Sequence, residues 1–302
     1  MAGPAYKYDL HVHTTASDGG YGPAEVVHLA AGRGLRAIAV TDHDTTASLS
    51  AAAEAGALQD LRVIHGVELT TLDRYHILGY FVQEGEHELS RYLAGLKILS
   101  RAHMQGVLSR LRPKGLNVTV EELECRTGEG IPNMSHLLDL MHKNVVLPEI
   151  QFDSPSAIEF FGDPDYLVNF FREFARTRPF TDAPGAVRLI REAGGVPVWA
   201  HPGQADPAEV ERLKGCGLEG LEVTTPKHDS ATREYLDRLC RELDLIPTGG
   251  TDYHGRMFDS IEKGRQLGTC GVGEHVLDRL RECADRIRER PKPARRESRD
   301  AG

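Results

Sequence analysis

An alternation of short apolar segments and helical segments that stops in the middle of the chain and later resumes is the most constraining feature of this sequence. Before the interruption the pattern predicts four strands, at 8–12, 36–40, 61–69 and 76–82. After it the pattern predicts three more, at 196–200, 218–223 and 245–249. Helical segments separate most of these strands, which is the pattern of parallel strands joined by helical crossovers.

The interruption predicts an inserted domain. Between about 86 and 180 the sequence is poor in strand-forming segments and rich in helical pattern, with Pro and Gly dividing it into short pieces. We therefore expect a mostly helical cap at 86–180, inserted into one α/β domain formed by residues 5–85 and 181–290. The last helix must end before Pro291 and Pro293, because proline lacks the backbone donor. The polar tail at 291–302 is expected to be disordered.

Histidines and carboxylates collect where predicted strands begin or end. His11 and His13 lie two residues apart, and on a strand such residues point to the same face. Asp252 and His254 repeat this spacing after the last strand. Single donors follow or begin other strands: Asp18, His43, Glu68, His76 and His201. Ligands of parallel α/β proteins gather at the carboxyl ends of the strands, so these side chains are expected to form one metal site.

The number of candidate donors indicates more than one ion. A lone histidine is more often a surface or core residue than a ligand, but the joint pattern favours a metal site. The nine candidate donors are more than one ion needs, and they suit two or three close divalent ions of Mn, Fe or Zn. Such ions activate a shared water as a bridging hydroxide and hold a phosphoryl group. Five of the donors are also the candidate catalytic residues: Asp18, His43, Glu68, His201 and Asp252.

Composition limits the partners of this chain. The formal net charge of -9 argues against a broad basic surface for long nucleic acid. No apolar run is long enough to cross a bilayer, and residues 1–7 lack the apolar core of a signal peptide. The 5 scattered cysteines form no C-x-x-C pair. We therefore expect reduced thiols and a cytoplasmic location.

The motifs taken together resemble the polymerase and histidinol phosphatase (PHP) family of metal-dependent phosphoesterases. The matching stretches are DLHVHTTASDG, TDHDT, GVEL, HILGYF, AHPG, GLEV and GGTDYHG. The resemblance implies a distorted (β/α)7 TIM-like barrel with a trinuclear site. It implies that the first ion is held by His11, His13, Glu68 and Asp252. It implies Glu68, His76 and His201 for the second ion, and Asp18, His43 and His254 for the third. Asp42 is then expected to support a neighbouring ligand.

A barrel with a helical insertion resembles the smaller nucleotide phosphatases of this family. That likeness implies a small phosphorylated substrate, a nucleoside monophosphate or 3',5'-bisphosphate, hydrolysed at a phosphomonoester. Those relatives often carry an Arg-x-His motif in the insertion. Here His136 keeps the histidine, but Met134 stands in place of the arginine and cannot pair with a second phosphate. Lys227 and His228, in the segment TTPKHDS, are the other candidate substrate contacts.

Three other functions remain open at this stage. A cyclic phosphodiesterase or a short-oligonucleotide exonuclease could use the same site. An amidohydrolase or deaminase also begins with H-x-H on a barrel strand, but the pair Asp252 and His254 and the early donors Asp18 and His43 do not fit its ligand scheme. A non-catalytic metal-binding domain would be expected to have lost donors, and all nine are present. The oligomeric state has no sequence signal.

Overall fold

A computed structural model describes residues 6–114, 116–133, 135–137, 140, 180–255 and 266–289. Within these residues, 7 strands form one sheet whose order follows the chain. They are β1 (Tyr8–Val12), β2 (Ala37–Val40), β3 (Arg62–Thr70), β4 (His76–Tyr80), β5 (Val196–Trp199), β6 (Gly220–Thr224) and β7 (Ile246–Gly249). All the predicted strands are present, and the mixed α/β barrel is confirmed.

Helices cover the sheet and form the described part of the predicted insertion. They are α1 (Pro23–Gly32), α2 (Leu49–Ala57), α3 (Glu88–Leu111), α4 (Val120–Thr127), α5 (Ala183–Glu192), α6 (Pro207–Gly215), α7 (Ser230–Glu242) and α8 (Glu274–Glu289). Aspartates cap the three helices α5, α6 and α7. For example, the Asp229 carboxylate accepts a bond of 2.8 Å from the Thr232 N–H, which satisfies one of the unpaired donors of the first turn.

Strand β4 runs in the opposite direction to both of its neighbours. It pairs antiparallel with β3 and with β5, whereas the remaining neighbours pair in parallel. The expectation of parallel strands throughout is therefore wrong at β4. A parallel pair needs a crossover of a dozen or more residues, but only residues 71–75 separate β3 from β4. They form a tight turn in which the Thr71 N–H donates to the Tyr75 carbonyl at 3.1 Å.

The barrel closes between β1 and the segment after β7. The Tyr253 N–H donates to the His11 carbonyl at 3.3 Å, and the His13 N–H donates to the Tyr253 carbonyl at 2.9 Å. Gly250 makes this approach possible, because a Cβ there would lie 2.4 Å from the His11 backbone nitrogen. At the other end of β1 the Val272 N–H donates to the Tyr8 carbonyl at 3.0 Å.

Two buried clusters pack the helices against the sheet. The larger joins the strands to α1, α2, α5, α6 and α7, and the other joins them to α8. Helix α8 presents Val276, Leu280, Cys283 and Ile287, which lie on one face because residues three and four apart are neighbours on a helix. Most of the sheet is therefore covered, and its polar groups are concentrated at one end.

The insertion is described over α3, α4 and the short segment that follows them. Helix α3 packs against α4 and α5, and the Arg101 guanidinium joins α3 to α4 through Glu121 and Glu124 at 2.6 and 2.8 Å. Residues 141–179 of the predicted insertion lie outside the described residues. None of the helices in the described part of the chain combines the length and apolarity that a membrane span requires.

Candidate metal centre

The candidate ligands meet at one end of the barrel, where they follow the strands in space. His11 belongs to β1, Glu68 to β3, and His201 follows β5 directly. Asp252 and the neighbouring His254 follow β7. His76 is the first residue of β4, and it reaches the same end only because β4 is antiparallel to the others. The direction of β4 therefore brings a ninth donor to the site.

Glu68 lies at the middle of this group. It is fully buried. Its Oε2 atom lies 3.0, 3.2 and 3.4 Å from ring nitrogens of three histidines, which are His11, His13 and His43. Its Oε1 atom lies 2.9 and 3.3 Å from ring nitrogens of two others, His76 and His201. The two oxygens of one carboxylate thus face two different groups of imidazoles, as in a carboxylate that is shared between two ions.

The first group, which we name the inner pocket, comprises His11, His13, Glu68 and Asp252. One ligand atom from each lies within 4.8 Å of the others. The Asp252 Oδ1 atom is 3.3 Å from His11 Nε2 and 3.2 Å from His13 Nε2. All four residues are buried. The structure thus gathers the residues that the PHP resemblance implied for the first ion.

Glu68, His76 and His201 form a second group, the middle pocket, next to the first. His43 also approaches it, because one ligand atom each from His43, Glu68 and His76 lie within 4.8 Å. The His76 and His201 rings are 5.2 Å apart between centroids and nearly perpendicular. The residues implied for the second ion are therefore together, with His43 as an additional neighbour.

Asp18, His43 and His254 form the third group, the outer pocket, which also borders His13. The Asp18 Oδ1 atom is 3.3 Å from His254 Nε2, and its Oδ2 atom is 3.8 Å from His43 Nε2. This pocket is more open than the inner one, since the Asp18 and His43 side chains are 21% and 22% exposed. The residues implied for the third ion are together at the rim of the site.

Electrostatics favour cations at this end of the barrel. Burial raises the pKa of Glu68, but the nearby histidines, His43 first, outweigh it and hold the pKa well below its usual range. Burial also raises the pKa of Asp252, and His11 and its neighbours again reverse the shift. Both carboxylates therefore stay ionised, and their negative charge must be balanced by protons on the histidines or by metal ions.

The pKa values of two of the histidines, His13 and His43, shift in opposite directions. Burial lowers the pKa of His13, but the nearby Asp252 and Glu68 carboxylates raise it to about 10. Burial lowers the pKa of His43 to about 3, more than Glu68 and Asp18 can offset. Without metal, His13 is therefore protonated at neutral pH, whereas His43 offers a neutral imidazole.

The hydrogen bonding of the buried ring nitrogens indicates whether these residues suit metal ions. Neither nitrogen of His13, nor Nδ1 of His43, makes a hydrogen bond of ordinary geometry, although carboxylate oxygens lie close to them. Buried polar atoms without such bonds are costly, and imidazole with carboxylate is a common ligand set for Mn, Fe and Zn. The residues therefore fit divalent cations.

Glu222 supports two of these ligands and was not among the residues singled out from the sequence. It is fully buried on β6. The His11 Nδ1–H donates to its Oε1 atom at 2.9 Å, and the His201 backbone N–H donates to its Oε2 atom at 2.8 Å. This arrangement leaves His11 Nε2 to face the inner pocket. The signal in the sequence is a glutamate within the apolar strand segment GLEV.

Asp42 supports the loop that carries Asp18. Its Oδ1 atom accepts bonds from the Thr14 N–H at 2.7 Å and the Ser17 hydroxyl at 2.6 Å. Its Oδ2 atom accepts from the Thr14 and Ser48 hydroxyls. The carboxylate therefore ties the loop after β1 to the end of β2.

Two of the candidate ligands have positive φ angles. His201 has a φ of 32° and Asp252 a φ of 54°, in the left-handed region that residues other than glycine rarely adopt. Such a conformation costs of order 1–3 kcal/mol and persists only where the surroundings enforce it. Both residues turn the chain directly after a strand, where their side chains must point back toward the barrel axis.

The three candidate substrate contacts have different surroundings. The Lys227 Nζ atom is 2.7 Å from the Asp252 Oδ2 atom, and this side chain is 35% exposed. His228 is buried, with Nδ1 near the Val223 carbonyl at 3.0 Å and Nε2 accepting from the Gly203 N–H at 3.1 Å. The structure therefore brings Lys227 to the metal ligands, while His228 holds the loop after β5.

His136 is likewise engaged inside the protein. Its Nε2 atom is 3.0 Å from the Thr15 carbonyl, and its Nδ1 atom accepts from the Asn133 N–H at 3.2 Å. Its side chain contacts the loop after β1. Met134 lies outside the described residues.

Comparison with known proteins gives the class of this site. A family model described as the PHP domain matches residues 9–153. A relative from Eggerthella lenta, named phosphoribosyl 1,2-cyclic phosphate 1,2-diphosphodiesterase, is 35% identical, and the match covers 82% of this chain and 94% of the relative. A solved structure from Bifidobacterium adolescentis, assigned as a metal-dependent phosphoesterase, has the same fold. Its TM-score is 0.72 at 24% identity, with 94% of this chain and 98% of that chain covered.

More distant relatives hydrolyse other phosphate esters. A 3',5'-nucleoside bisphosphate phosphatase from Chromobacterium violaceum is 28% identical over 86% of this chain and 90% of its own length. A 5'-3' exoribonuclease from Haemophilus influenzae is 26% identical over 82% of this chain and 90% of its own length. The fold and the site define a metal-dependent phosphoesterase. The chain belongs to the PHP family.

Proposed function

We propose that this chain hydrolyses a phosphomonoester of a small phosphorylated molecule, most readily a nucleotide such as a nucleoside monophosphate or 3',5'-bisphosphate. The observation that carries the proposal is the arrangement of nine donors in three adjoining pockets around the buried carboxylate of Glu68. Two adjacent cation pockets suit a phosphoryl group, because the attacking and leaving oxygens need stabilisation at the same time.

Two or three divalent ions, Mn, Fe or Zn, would occupy these pockets. Glu68 would be shared by the inner and middle pockets, and Asp18, His43 and His254 would hold the ion of the outer pocket. When bound, such ions lower the pKa of a water and hold the phosphoryl oxygens. The chain itself fixes the donors: Glu222 sets the orientation of His11, and Asp42 holds the loop of Asp18.

Lys227 offers the substrate an ammonium group beside the candidate metal ligands. Its ammonium group contacts Asp252 from the exposed side of the site, so it can exchange part of that contact for a phosphate oxygen. Within a chain of formal net charge -9, this ammonium also provides a local positive group on the path of an anionic substrate. The residue therefore binds and orients the phosphate, while the histidines and carboxylates hold the ions.

A cyclic phosphodiester is the second candidate substrate. The specific observation that favours it is the 35% identity to the phosphoribosyl 1,2-cyclic phosphate 1,2-diphosphodiesterase. A site with room for more than two ions can bind the diester and then the monoester formed by its opening. Short oligonucleotides are a third possibility because of the exoribonuclease relatives, but the acidic chain argues against long nucleic acid.

A phosphate-release assay with Mn²⁺ tests the proposal. The substrates are a nucleoside monophosphate, a 3',5'-bisphosphate, a five-carbon sugar phosphate and a five-membered cyclic phosphate, with a short RNA as the last arm. The Glu68→Ala variant serves as the inactive control. Release from a nucleotide that is lost on chelation and regained with Mn²⁺ supports the function. Turnover of the cyclic phosphate or the RNA alone would transfer the proposal to that substrate, and no turnover of any phosphate ester would reject it.

The helical insertion at 86–180 and a cytoplasmic location are part of the same proposal. Five free cysteines support a reducing compartment. Cell fractionation with a compartment marker tests the location, and limited proteolysis between 86 and 180 tests the division into barrel and insertion.

A further inference from the structure

We infer that the insertion acts as a positioning element for the outer metal pocket, and that His136 and Asn133 hold Asp18 in place. The segment concerned comprises residues 130–133, 135 and 136, which we name the clasp. This inference rests on the metal centre of the proposed function. According to this inference, the clasp supports the loop that carries Asp18. The metal affinity of the outer pocket then depends on how the insertion docks on the barrel.

Three successive carbonyls of the loop after β1 are bound by the clasp. The His136 Nε2–H donates to the Thr15 carbonyl at 3.0 Å. The Ile131 N–H donates to the Ala16 carbonyl at 2.8 Å. The Asn133 side-chain amide donates to the Ser17 carbonyl at 2.6 Å. The next residue of the loop is Asp18, so this ligand follows directly on a backbone whose carbonyls are fixed by the insertion.

The clasp also fixes the tautomer of His136. The Asn133 backbone N–H donates to His136 Nδ1 at 3.2 Å, which leaves the ring proton on Nε2 for the Thr15 carbonyl. His136 is only 4% exposed. A buried imidazole with both nitrogens engaged in this way connects two backbone segments. The histidine that the sequence suggested as a substrate contact is therefore a positioning residue.

Close packing and a link to α3 make the clasp rigid. A Cβ at Gly130 would lie 2.1 Å from the Ala16 carbonyl oxygen, so only glycine permits this approach. The Ser100 hydroxyl of α3 donates to the Pro132 carbonyl at 2.8 Å, and Ile131 packs in a buried cluster with Leu96. Movement of α3 relative to the barrel would therefore be transmitted to the loop.

The barrel holds the same loop from the opposite side. Asp42 accepts bonds from Thr14 and from the Ser17 hydroxyl, so Ser17 is bound by the barrel through its side chain and by the clasp through its carbonyl. Asp18 is the only ligand of the outer pocket that comes from this loop, and it is partly exposed. Its position thus depends on both contacts of Ser17, and loss of either should weaken this pocket first.

Substitution of His136 tests the inference through metal affinity. His136→Leu removes the bond to the Thr15 carbonyl, and we expect one ion to bind about ten-fold more weakly while the others are unchanged, as for other residues that orient a ligand. His136→Gln is the matched variant, because its amide nitrogen can take the place of Nε2, and it should restore the affinity. Arg101→Ala, which cuts the exposed ion pairs between α3 and α4, is the control and should bind all ions normally. Titration calorimetry with Mn²⁺ and elemental analysis measure these changes.

Hydrogen exchange in the metal-free proteins gives a readout that does not depend on bound ions. The amides of Ser17 and Gly19 donate within the loop to the Thr14 carbonyl. They should exchange about ten-fold faster in His136→Leu and in Asn133→Ala than in the wild type or in His136→Gln. If His136→Leu does not fold, Asn133→Ala still tests the inference, because it removes the bond to the Ser17 carbonyl.

The outcomes separate the two proposals. If the wild-type protein binds only two ions after metal loading, the occupied outer pocket and the clasp inference fail, whereas a two-ion form of the proposed function stands; one ion or fewer would reject the multinuclear centre itself. If the wild type binds three ions, and both His136→Leu and Asn133→Ala keep the affinity for the third ion and the slow amide exchange of the loop, the clasp alone is rejected. Equal weakening of all ions in every variant, Arg101→Ala included, would also reject it, because that result indicates general destabilisation.

Discussion

The inner and outer pockets use the same kinds of side chain but are built differently. The inner pocket takes two of its four residues, His11 and Glu68, from strands of the sheet, and all four are buried. The outer pocket takes Asp18 and His43 from loops, and both are about one-fifth exposed. A ligand on a strand is held by the ladder of the sheet, whereas a ligand on a loop depends on specific supporting contacts. The comparison indicates a permanent inner site and a more exchangeable outer one.

Substitution of Glu68, the carboxylate common to the inner and middle pockets, should cause the largest loss of activity. In Glu68→Ala the inner and middle pockets lose their common ligand, and we expect activity to fall by at least roughly 1,000-fold. His43→Ala affects a ligand at the rim and should cost less. Steady-state kinetics and elemental analysis of both variants check this order. Equal and mild losses in the two variants would show that Glu68 is not shared.

Loss of the Glu222 carboxylate, which supports His11 and His201, should weaken the inner and middle pockets and leave the outer pocket normal. In Glu222→Gln one oxygen can still accept a bond, but the negative charge beside His11 Nδ1 is gone. We expect metal affinity of the inner and middle pockets to fall roughly 10- to 100-fold, with a normal outer pocket. Competition with a metal-sensitive dye measures the affinities. A variant whose outer site alone weakened would contradict the assignment of Glu222 to the inner and middle ones.

The pH dependence of metal binding should also distinguish the two pockets. The pKa of His13 is about 10 in the metal-free protein, so an ion at neutral pH must displace its proton. Affinity of the inner pocket should therefore rise with pH, by up to about ten-fold per unit for each proton released. The pKa of His43 is about 3, so this ligand contributes no such dependence near neutrality. Calorimetry from pH 6 to 8 in buffers of different ionisation enthalpy counts the protons. Equal proton release at both pockets would contradict the expected difference in the pH dependence of their metal binding.

Substrate recognition should depend on Lys227 to a smaller extent. Lys227→Met removes the ammonium but keeps much of the stem, and we expect kcat/KM for a phosphomonoester to fall about ten-fold. Lys227→Arg keeps the charge and should retain most of the activity. Metal content is the control, since Lys227 also contacts Asp252. Unchanged kinetics with normal metal content would remove Lys227 from the substrate site.

Local pattern in the sequence predicted the strands and the grouping of the donors, and the PHP resemblance implied the barrel. The carboxyl ends of parallel strands gather at one end of a barrel, so His11, Glu68 and Asp252 were expected to meet. The direction of β4 was missed although the short interval at 71–75 contains the signal, since hydrophobic pattern is the same in both directions. With β4 parallel, His76 would lie at the far end of the barrel.

Two supporting residues could not be read from local pattern. Glu222 is one glutamate among many in the sequence, and only its burial within β6 beside His11 reveals its role. His136 was placed among the substrate contacts because of its motif. Its bond to the Thr15 carbonyl joins residues 121 positions apart, and such a contact depends on how the insertion docks on the barrel.

The β3–β4 hairpin has a consequence for the order in which the chain folds. It brings Glu68 and His76 together across only 8 positions, so this pair can form as soon as a local hairpin forms, on a timescale of about 1–10 μs. His11 and Asp252 lie near opposite ends of the chain and meet only when β1 joins the segment after β7. Closing so long a loop is slow, and it must await the intervening strands. The inner pocket is thus completed last, and ion capture there reports that the barrel has closed.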